Sequence, residues 1–397
     1  MAKLSDRVNS LSESQTIAMA RKSREMKAQG IDIINLSLGE PDFFTPTPIK
    51  DAAKAAIDND FSYYTHVSGY LELRQAIAAK FKRDNNISYT ADQIVVSTGA
   101  KQSIANAVLS IINPGDEVLI PAPYWVSYLE IVKLAEGKSV IIPSGMEQNF
   151  KVTAQQIEKY ISPKTRLFIF SSPCNPTGSV YSKQELQDLA SLFEKYPDIY
   201  IISDEIYEHI NFIGKHESIA QFASIYDRVI TINGVSKAFA MTGWRVGYLG
   251  ASLEIAKACD KMQGQFTSAT CSIAQKATHK AVELDPSATY EMRDVFKKRR
   301  DLVLKLVKEI PGLKYNVPDG AFYLFPDVSS YFGKSDENNK INNATELSMY
   351  LLEKAHVALV PGEAFGDGKY VRFSYATSEK NIEEALKRIG QALSKLK

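Results

Sequence analysis

Short apolar runs alternate with longer amphipathic stretches through the middle of the chain. Seven apolar runs predict buried strands, at 94–97, 117–120, 139–142, 166–170, 200–203, 229–232 and 246–249. Between them, apolar positions that recur every three or four residues predict helices, such as 101–112, 182–195 and 253–263. Continuous apolar strands that alternate with helices are typical of a largely parallel sheet covered on both faces. The pattern therefore predicts a doubly wound α/β domain.

The pattern changes near both ends of the chain. The last part predicts a small α+β domain, with helices at 292–309 and 344–355 and at the C-terminus, strands at 320–325, 357–360 and 370–375, and a polar loop at 333–343. The first 45 residues hold a predicted helix (16–29), a short strand (33–36) and a loop (39–43). We expect this segment to pack on the small domain. The predicted units are thus 1–45, 46–291 and 292–397.

Length and composition narrow the class of protein. A chain of 397 residues is too long for one ordinary core, which agrees with two domains. A formal net charge of +1 gives no global field that would attract nucleic acid or a membrane surface. The three cysteines form no Cys-x-x-Cys pair and the five histidines show no metal-ligand spacing, so we expect no metal and a reducing, cytoplasmic compartment. The N-terminus has no apolar signal core, and no run is long enough to span a bilayer.

Lys237 carries the most specific chemical signal. It follows the apolar run at 229–232, with Ser236 directly before it and Arg245 eight positions after it. An amine in a desolvated, partly cationic place loses its proton readily, which suits Schiff-base chemistry with an aldehyde cofactor. The serine and the arginine suit a phosphate. Because a single lysine after a strand is more often a solvated loop charge, the hypothesis of pyridoxal phosphate at Lys237 depends on companion residues elsewhere.

Several of these companions follow predicted strands at their carboxyl ends, where ligands bind in open α/β sheets. Gly99, Ala100 and Lys101 open a helix after the first such strand, and free N–H groups at a helix start can hold an anion. Asn175 lies between two prolines, which would aim its amide at the phenolic oxygen of the cofactor. A plain turn is the alternative explanation at both places.

Four further residues suit the same cofactor and its substrate. Asp204 follows the strand at 200–203, where a carboxylate needs a cationic partner, such as a protonated pyridine nitrogen, or caps a helix. Tyr207 would lie near the phenolic oxygen, with a core or rim tyrosine as the alternative, and Trp125 could stack on the ring, with core packing as the alternative. Arg372 lies in an apolar strand, where its buried positive charge needs a partner, either a substrate carboxylate or an acidic residue of the protein.

Together, these motifs resemble those of the class I pyridoxal-phosphate-dependent aminotransferases, and within them the bacterial-type aspartate aminotransferases. The resemblance extends from about Ser14 to the C-terminus. It rests on Ser14-x-Thr16, Leu38-Gly-Glu-Pro-Asp-Phe43, Gly99-Ala-Lys-Gln102, Pro123-Tyr-Trp-Val126, Asn175-Pro-Thr-Gly178, Ser203-Asp-Glu-Ile-Tyr207, Ser236-Lys-Ala-Phe-Ala-Met-Thr-Gly-Trp-Arg245 and Val371-Arg-Phe-Ser-Tyr375. It implies fold type I of the pyridoxal-phosphate-dependent transferases, with a large, doubly wound, mostly parallel seven-stranded sheet domain and a small α+β domain.

The resemblance also implies how the cofactor is held. Lys237 would carry it as a Schiff base and later move a proton, and Asp204 would pair with the pyridine nitrogen. The other implied cofactor residues are Asn175 and Tyr207 at the phenolic oxygen, Trp125 on the ring, and Gly99, Ala100, Lys101, Ser236 and Arg245 around the phosphate. Tyr64 would reach the phosphate of a partner subunit, which implies a homodimer with shared active sites.

For the substrate, the resemblance implies that Arg372 and the backbone of Gly39 hold the α-carboxylate. Thr16, Lys101, Trp125 and Asn175 are the other implied substrate-binding residues. Lys101 opposes the dipole of its helix, so we expect it to have an anionic partner, with a surface lysine as the alternative.

In the bacterial-type enzymes, a lysine at the position of Lys101 meets the distal carboxylate of the substrate. This implies reversible transfer from L-aspartate to 2-oxoglutarate, giving oxaloacetate and L-glutamate by ping-pong kinetics. Two alternatives stay open: an aminotransferase of the same branch for prephenate or aromatic amino acids, and a carbon–sulfur β-lyase. A non-catalytic regulator would need a DNA-binding module, for which the first 45 residues offer no room.

Overall fold

The computed structural model describes residues 3–13, 15–336 and 339–397. Ser14, which opens the first motif, lies outside the described residues. The N-terminal segment contains the helices α1 (Asp6–Asn9) and α2 (Gln15–Ala28) and the strand β1 (Ile34–Asn35). The sequence pattern misses α1 because one turn shows no period; Ser5 caps this helix by accepting a hydrogen bond from the backbone N–H of Val8.

All seven predicted strands are confirmed and form a single sheet. They are β2 (Ile94–Ser97), β3 (Glu117–Ala122), β4 (Lys138–Pro143), β5 (Thr165–Ser171), β6 (Tyr200–Asp204), β7 (Val229–Gly234) and β8 (Gly247–Gly250). Their order in the sheet is β2-β8-β7-β6-β5-β3-β4. Only β8 is antiparallel to its neighbours, and the other adjacent pairs are parallel. The carboxyl ends of β5, β6 and β7 therefore meet at one edge.

Helices cover both faces of this sheet. They are α3 (Thr47–Asp58), α4 (Leu71–Lys80, continued by a π-helical turn at Phe81–Asn85), α5 (Ala100–Ile111), α6 (Ser127–Leu134), α7 (Ala154–Glu158), α8 (Lys183–Glu194), α9 (Leu253–Phe266) and α10 (Ser272–Glu283). Successive strand residues serve opposite apolar cores: Phe168 and Phe170 of β5 lie in one, and Leu167 and Ile169 lie in the other. Because side chains alternate across a strand, burial on both faces requires the continuous apolar runs seen in the sequence.

The C-terminal part forms the small α+β domain. Its elements are α11 (Tyr290–Val307), β9 (Tyr323–Leu324), β10 (Ser335–Asp336), β11 (Asn339–Lys340), α12 (Ala344–Tyr350, with a π-helical turn at Leu351–Ala355), β12 (Val357–Ala358), β13 (Val360–Pro361), β14 (Val371–Ser374) and α13 (Glu379–Leu393). The strands β13, β14 and β9 form an antiparallel sheet in that order.

The loop predicted at 333–343 is wrong in one respect, because it contains the short hairpin β10–β11. Two-residue polar strands carry no hydrophobic period, so the pattern does not reveal them. Their stability comes from a distant partner instead: Ser335 exchanges backbone hydrogen bonds of 3.0 Å with the C-terminal Lys397.

The N-terminal segment contacts the small domain through both backbone and side chains. Strand β1 pairs in parallel with β12, and Ile34 and Leu36 belong to the apolar cluster that also contains Phe296. Arg299 of α11 is buried and donates to Asp42 at 2.6 Å. The unit limits at residues 45 and 291 remain a prediction. In the described part of the chain, no helix combines the length and the apolar character needed to cross a bilayer.

Candidate active site

A cavity of about 300 Å³ lies where the strand ends of the large sheet face the N-terminal segment and the small domain. Every predicted site residue except Gly99 and Tyr64 lines it: Thr16, Gly39, Ala100, Lys101, Trp125, Asn175, Asp204, Tyr207, Ser236, Lys237, Arg245 and Arg372. These residues come from widely separated parts of the chain. The fold therefore places the separate motifs around one volume.

Lys237 lies just past the end of β7 and is partly buried. Its ammonium donates a hydrogen bond to the backbone carbonyl of Gly39. Burial lowers the pKa of Lys237 to about 8. The charge of Glu40 opposes this shift in pKa, whereas the nearby charges of Arg372 and Arg245 add to it. A substantial fraction of this amine is therefore neutral, and so nucleophilic, near physiological pH.

Asp204 is the last residue of β6 and is 5% exposed. It accepts hydrogen bonds from the hydroxyl of Tyr128 (2.7 Å) and the backbone N–H of Ile206 (3.3 Å). Within the described residues, both of these donors are neutral. Burial raises the pKa of Asp204 to about 6, and the two hydrogen bonds limit that rise. Since Asp204 caps no helix, a cationic ligand group is the partner that would stabilise its charge.

An anion seat lies at the start of α5. The guanidinium of Arg245 packs so closely on Gly99 that a Cβ at this position would clash with it. Gly99 has φ +85° and ψ +155°, a conformation essentially restricted to glycine. Arg245 itself is left-handed (φ +57°) and donates to the carbonyl of Thr242 at 2.9 Å. Together with Ser236, these groups present a cation and free helix N–H groups to one end of the cavity, which suits a phosphate.

Asn175 and Tyr207 are both buried beside the cavity. The carbonyl oxygen of Asn175 accepts a hydrogen bond from Arg372, and its amide nitrogen makes none to the described residues. The hydroxyls of Tyr207 and Tyr323 lie 2.7 Å apart. Burial raises the pKa of Tyr207 well above its ordinary value, and Tyr323 adds to the rise. Both side chains can therefore donate to an anionic ligand oxygen.

Arg372 is a buried cation on β14, with 2% of its surface exposed. Its Nη1 donates to Asn175 (3.0 Å) and its Nη2 to the carbonyl of Ser37 (2.6 Å), while its buried Nε has no partner in the structure. The guanidinium carbon lies 4.5 Å from the ring centroid of Tyr323. Across the described part of the chain, Arg372 forms no ion pair, which excludes a structural salt bridge there. A ligand carboxylate would supply the missing charge.

Lys101 and Thr16 lie at the outer part of the cavity. The ammonium of Lys101 is 5.1 Å from the centroid of the Trp125 ring. Lys101 is exposed and forms no ion pair within residues 3–13, 15–336 and 339–397. Thr16 and Ile17 bring the start of α2 to the same place. The cavity thus contains a second free cation in addition to Arg372.

Tyr64 is one of the two predicted site residues that do not line the cavity. Its side chain is 99% exposed, and that of Tyr63 is 82% exposed. Gly99 also lies outside the lining but contacts it through Arg245.

Sequence reasoning missed two tyrosines, Tyr128 and Tyr323. Tyr128 binds Asp204 and packs edge-on against Trp125, with ring centroids 5.5 Å apart. Trp125 precedes α6 and Tyr128 is the second residue of that helix, so no helical spacing in the sequence links the two. Tyr323 contacts Tyr207 and Arg372, and its place in an apolar strand carries no signal either.

The fold and this cavity define a class of protein. A seven-stranded, mostly parallel sheet with the cavity at its strand ends, joined to a small α+β domain, is fold type I of the pyridoxal-phosphate-dependent transferases. Residues 31–389 match the family model described as aminotransferase class I and II. The chain belongs to this family of aminotransferases.

Curated relatives and solved structures agree with this family. The chain is 47% identical over 399 residues to the bifunctional aspartate aminotransferase and glutamate/aspartate-prephenate aminotransferase of Petunia hybrida, covering 99% of this chain and 83% of that protein. It is 46% identical to the aspartate/prephenate aminotransferase of Nitrosomonas europaea, covering 99% and 100%.

Among solved structures, the aspartate aminotransferase of Rhizobium meliloti superposes with a TM-score of 0.96 at 41% identity, covering 100% of both chains. The aspartate aminotransferase of Thermus thermophilus with maleate superposes with a TM-score of 0.92 at 39% identity, covering 99% of this chain and 100% of that chain.

Proposed function

We propose that this protein is a pyridoxal-phosphate-dependent aspartate aminotransferase that moves the amino group of L-aspartate to 2-oxoglutarate. The observation that carries the proposal is a pair of cations, Arg372 and Lys101, that share a cavity with the reactive amine of Lys237. Within the described residues, neither cation has an acid partner. A dicarboxylic amino acid supplies two carboxylates for the two cations. The names of the curated relatives support the same substrate.

The residues present fit pyridoxal phosphate. The cradle formed by Gly99 and Arg245 suits its phosphate, and the buried Asp204 needs a cation of the kind that a protonated ring nitrogen supplies. When bound, pyridoxal phosphate supplies an aldehyde carbon for the amino group and a ring that withdraws electrons from the substrate α-carbon. Asp204 would hold the proton on the ring nitrogen, and Tyr128 would hold Asp204 in place.

Lys237 would bind the cofactor covalently and then act as the base. An amine with a pKa of about 8 could move a proton between the substrate α-carbon and the cofactor. Asn175 and Tyr207 would donate to the phenolic oxygen of the ring, and Trp125 would cover one face of it. Because each amino acid leaves as an oxo acid before the second substrate enters, we expect ping-pong kinetics.

Arg372 would orient the substrate through its α-carboxylate. Its Nη1 and Nη2 are already held by Asn175 and Ser37, so the guanidinium plane is fixed before the substrate binds. The backbone of Gly39 lies beside it in the cavity, and Lys101 and Thr16 would meet the distal carboxylate. This arrangement favours aspartate and glutamate over amino acids with apolar side chains.

Prephenate is a second candidate substrate, because the curated relatives carry it in their names. It also has a carboxylate distant from the reacting carbon, which Lys101 could meet. Aromatic amino acids lack that second carboxylate.

A carbon–sulfur β-lyase would use the same cofactor residues. The half-reactions described below distinguish it from an aminotransferase.

We further propose a homodimer with shared active sites in a reducing, cytoplasmic compartment. The aromatic side chains of Tyr63, Tyr64 and Phe266 are exposed in the single chain, and such exposure supports a protein interface. Tyr64 would contact the phosphate bound by the partner subunit. The three free cysteines, Cys174, Cys259 and Cys271, support a reducing compartment.

Two half-reactions test the proposed function. Excess L-aspartate should remove the yellow absorbance of the cofactor-loaded protein, and 2-oxoglutarate should restore it. A lyase would release ammonia and would not recover with 2-oxoglutarate. Repeating the first step with glutamate, phenylalanine and tyrosine, and the second with prephenate, ranks the substrates.

Borohydride reduction followed by peptide mapping locates the covalent link. We expect the label on Lys237, with Lys237→Ala as the control that loses it. A label on another lysine would contradict the proposed site.

A further inference from the structure

A second group of buried charges lies behind Asp204, outside the cavity. Glu205 directly follows β6 and, unlike Asp204, does not line the cavity. Glu205 is completely buried, and its backbone N–H donates to the carbonyl of Ile232 in the neighbouring strand at 2.9 Å. An ionised carboxylate in such a place needs partners for both of its oxygens.

Three side chains supply these partners. The hydroxyls of Ser203 and Ser218 donate to Oε1 of Glu205 at 2.8 and 2.6 Å. The Nε2 of His216, which is 8% exposed, lies 2.9 Å from Oε2. Since His216 and Ser218 stand in the loop after β6, Glu205 ties this loop to the strand end that carries Asp204.

A second ion pair adjoins the first. Glu208 is buried and accepts hydrogen bonds from Lys80 and from Asn85 (2.7 Å), and His209 lies 3.1 Å from it. One potential ligand atom from each of Glu205, Glu208 and His216 lies within 4.8 Å of the others. Such a cluster resembles a metal site in composition. However, the ammonium of Lys80 already pairs with Glu208, one of these three residues.

The charges of this cluster balance when one positive charge is added to that of Lys80, and His216 beside Glu205 or His209 beside Glu208 can supply it. Glu205 and Glu208 bring two negative charges, and Lys80 brings one positive charge. Asp84 and Arg83, at the edge of the cluster, neutralise each other at 2.6 Å. Burial alone would lower the pKa of His216, but Glu205 and Glu208 outweigh it and raise that pKa above 6.5.

The charge of this cluster affects the cavity because Glu205 directly follows Asp204 in the chain. The pKa of Asp204 is raised to about 6, chiefly by burial, and the negative charge of Glu205 contributes to this rise. Without the positive charge of His216, this effect on the pKa of Asp204 would grow. A protonated Asp204 could not stabilise a cationic ring nitrogen.

We propose that Glu205 and His216 are positioning residues: their contact ties the loop after β6 to the strand end that carries Asp204, and the charge of His216 offsets that of Glu205 beside Asp204. This proposal rests on the proposed function, since Asp204 has this role only if pyridoxal phosphate binds. It assigns a function to a His–Glu pair that contacts neither cofactor nor substrate. The pair acts through Asp204 alone.

The proposal predicts how a single and a double variant of this pair should differ. His216→Gln leaves Glu205 without its counter-charge, whereas Glu205→Gln/His216→Gln removes both charges and lets the two amides hydrogen-bond to each other. The single variant should therefore bind pyridoxal phosphate more weakly, and have a lower kcat, than the double variant. A purely structural role predicts the same order in the free energy of unfolding, but it leaves the dissociation constant of pyridoxal phosphate from the folded variants unchanged.

The experiment measures the dissociation constant of pyridoxal phosphate from each apoprotein by fluorescence, and kcat with L-aspartate. We expect His216→Gln to raise the dissociation constant and lower kcat by about 10-fold each, and the double variant to return within about 3-fold of wild type. His279→Gln is the matched control, because this histidine pairs with Glu283 (3.4 Å) on α10. It should leave both quantities unchanged.

Two results would overturn the proposal: a His216→Gln variant that matches wild type, or a double variant no better than the single one. If His216→Gln does not fold, Ser218→Ala replaces it, since this change removes one donor to Glu205. It should raise the dissociation constant about 3-fold, and an unchanged value contradicts the proposal. A wild-type protein that neither binds pyridoxal phosphate nor exchanges amino groups refutes the proposed function instead, so the two failures are distinct.

Discussion

The guanidinium of Arg372 donates a hydrogen bond of 3.0 Å to the side-chain oxygen of Asn175, although 197 positions separate the two residues in the chain. Arg372 belongs to the small domain and Asn175 to the loop after β5 of the large sheet. Both side chains are buried and line the same cavity. This bond joins a predicted substrate residue to a predicted cofactor residue across the two domains.

The first prediction concerns the fork geometry of Arg372. Arg372→Lys keeps the positive charge but cannot hold Asn175, Ser37 and a carboxylate at once. We expect kcat/KM for aspartate to fall about 10- to 100-fold, the equivalent of one charged hydrogen bond. Cofactor affinity should change little, because Arg372 does not belong to the anion seat.

Steady-state kinetics and cofactor titration of the same preparation check this outcome. Arg388→Lys is the control, since Arg388 makes surface ion pairs with Asp32 (2.6 Å) and Glu384 (2.8 Å). Loss of the cofactor from Arg372→Lys would show that this residue is placed wrongly.

A second prediction tests Lys101 as the residue that selects dicarboxylic substrates. In Lys101→Gln, the distal carboxylate loses its cation, so we expect kcat/KM for aspartate to fall about 10- to 100-fold. The value for alanine, which has no distal carboxylate, should change less than about 3-fold. Lys138→Gln is a suitable control because Lys138 is exposed and pairs with Glu117 at 3.0 Å. Equal losses for both amino acids would argue against a contact between Lys101 and the distal carboxylate.

The anion seat provides a third prediction, through two glycines that share a positive φ. Gly99 (φ +85°) lies against Arg245, whereas Gly115 (φ +86°) has open space where a Cβ would stand. An alanine at either position should reduce the free energy of unfolding by about 1–3 kcal/mol, because of backbone strain. Only Gly99→Ala displaces the guanidinium, so only this variant should bind pyridoxal phosphate about 10-fold more weakly.

Chemical denaturation and cofactor titration of Gly99→Ala and Gly115→Ala separate the two effects. Equal cofactor affinity in both variants would mean that Arg245 does not hold the phosphate.

The fourth prediction is a pH dependence of cofactor capture. Burial lowers the pKa of Lys237 to about 8 from 10.5, so the neutral, nucleophilic amine accumulates as the pH rises through about 8. The rate at which the apoprotein captures pyridoxal phosphate should rise over the same interval. The negative charge of Glu40 raises the pKa of Lys237, so Glu40→Gln should move the profile to lower pH.

Stopped-flow absorbance between about pH 6 and about pH 10 measures how the rate of cofactor capture depends on pH. Glu254→Gln, on the exposed side of α9, is the control and should not shift it. A midpoint near 10.5 in the wild type would contradict a desolvated Lys237.

Much of the fold could be predicted because local and tertiary preferences agree. Both faces of β5 are buried, so its sequence is apolar without a break, and a continuous run of this kind is visible in the sequence. Asp204 follows such a run directly and Asn175 lies in the loop after another, so both are predicted at the carboxyl edge of the sheet. The hairpin β10–β11 was missed because its pairing with Lys397 depends on residues far along the chain.

The motifs along the chain, through their resemblance to a known family, were sufficient to predict the family of aminotransferases and to propose pyridoxal phosphate with Lys237 as the residue that binds it, because these motifs are short stretches next to recognisable strands. Only the tertiary structure decided which residues touch: the tyrosine pair Tyr207–Tyr323, the hydroxyl of Tyr128 on Asp204, and the buried partnership of Glu205 with His216. The physical reason is that burial and the proximity of distant charges set hydrogen bonds and pKa values. Neither quantity is a property of any short stretch of sequence.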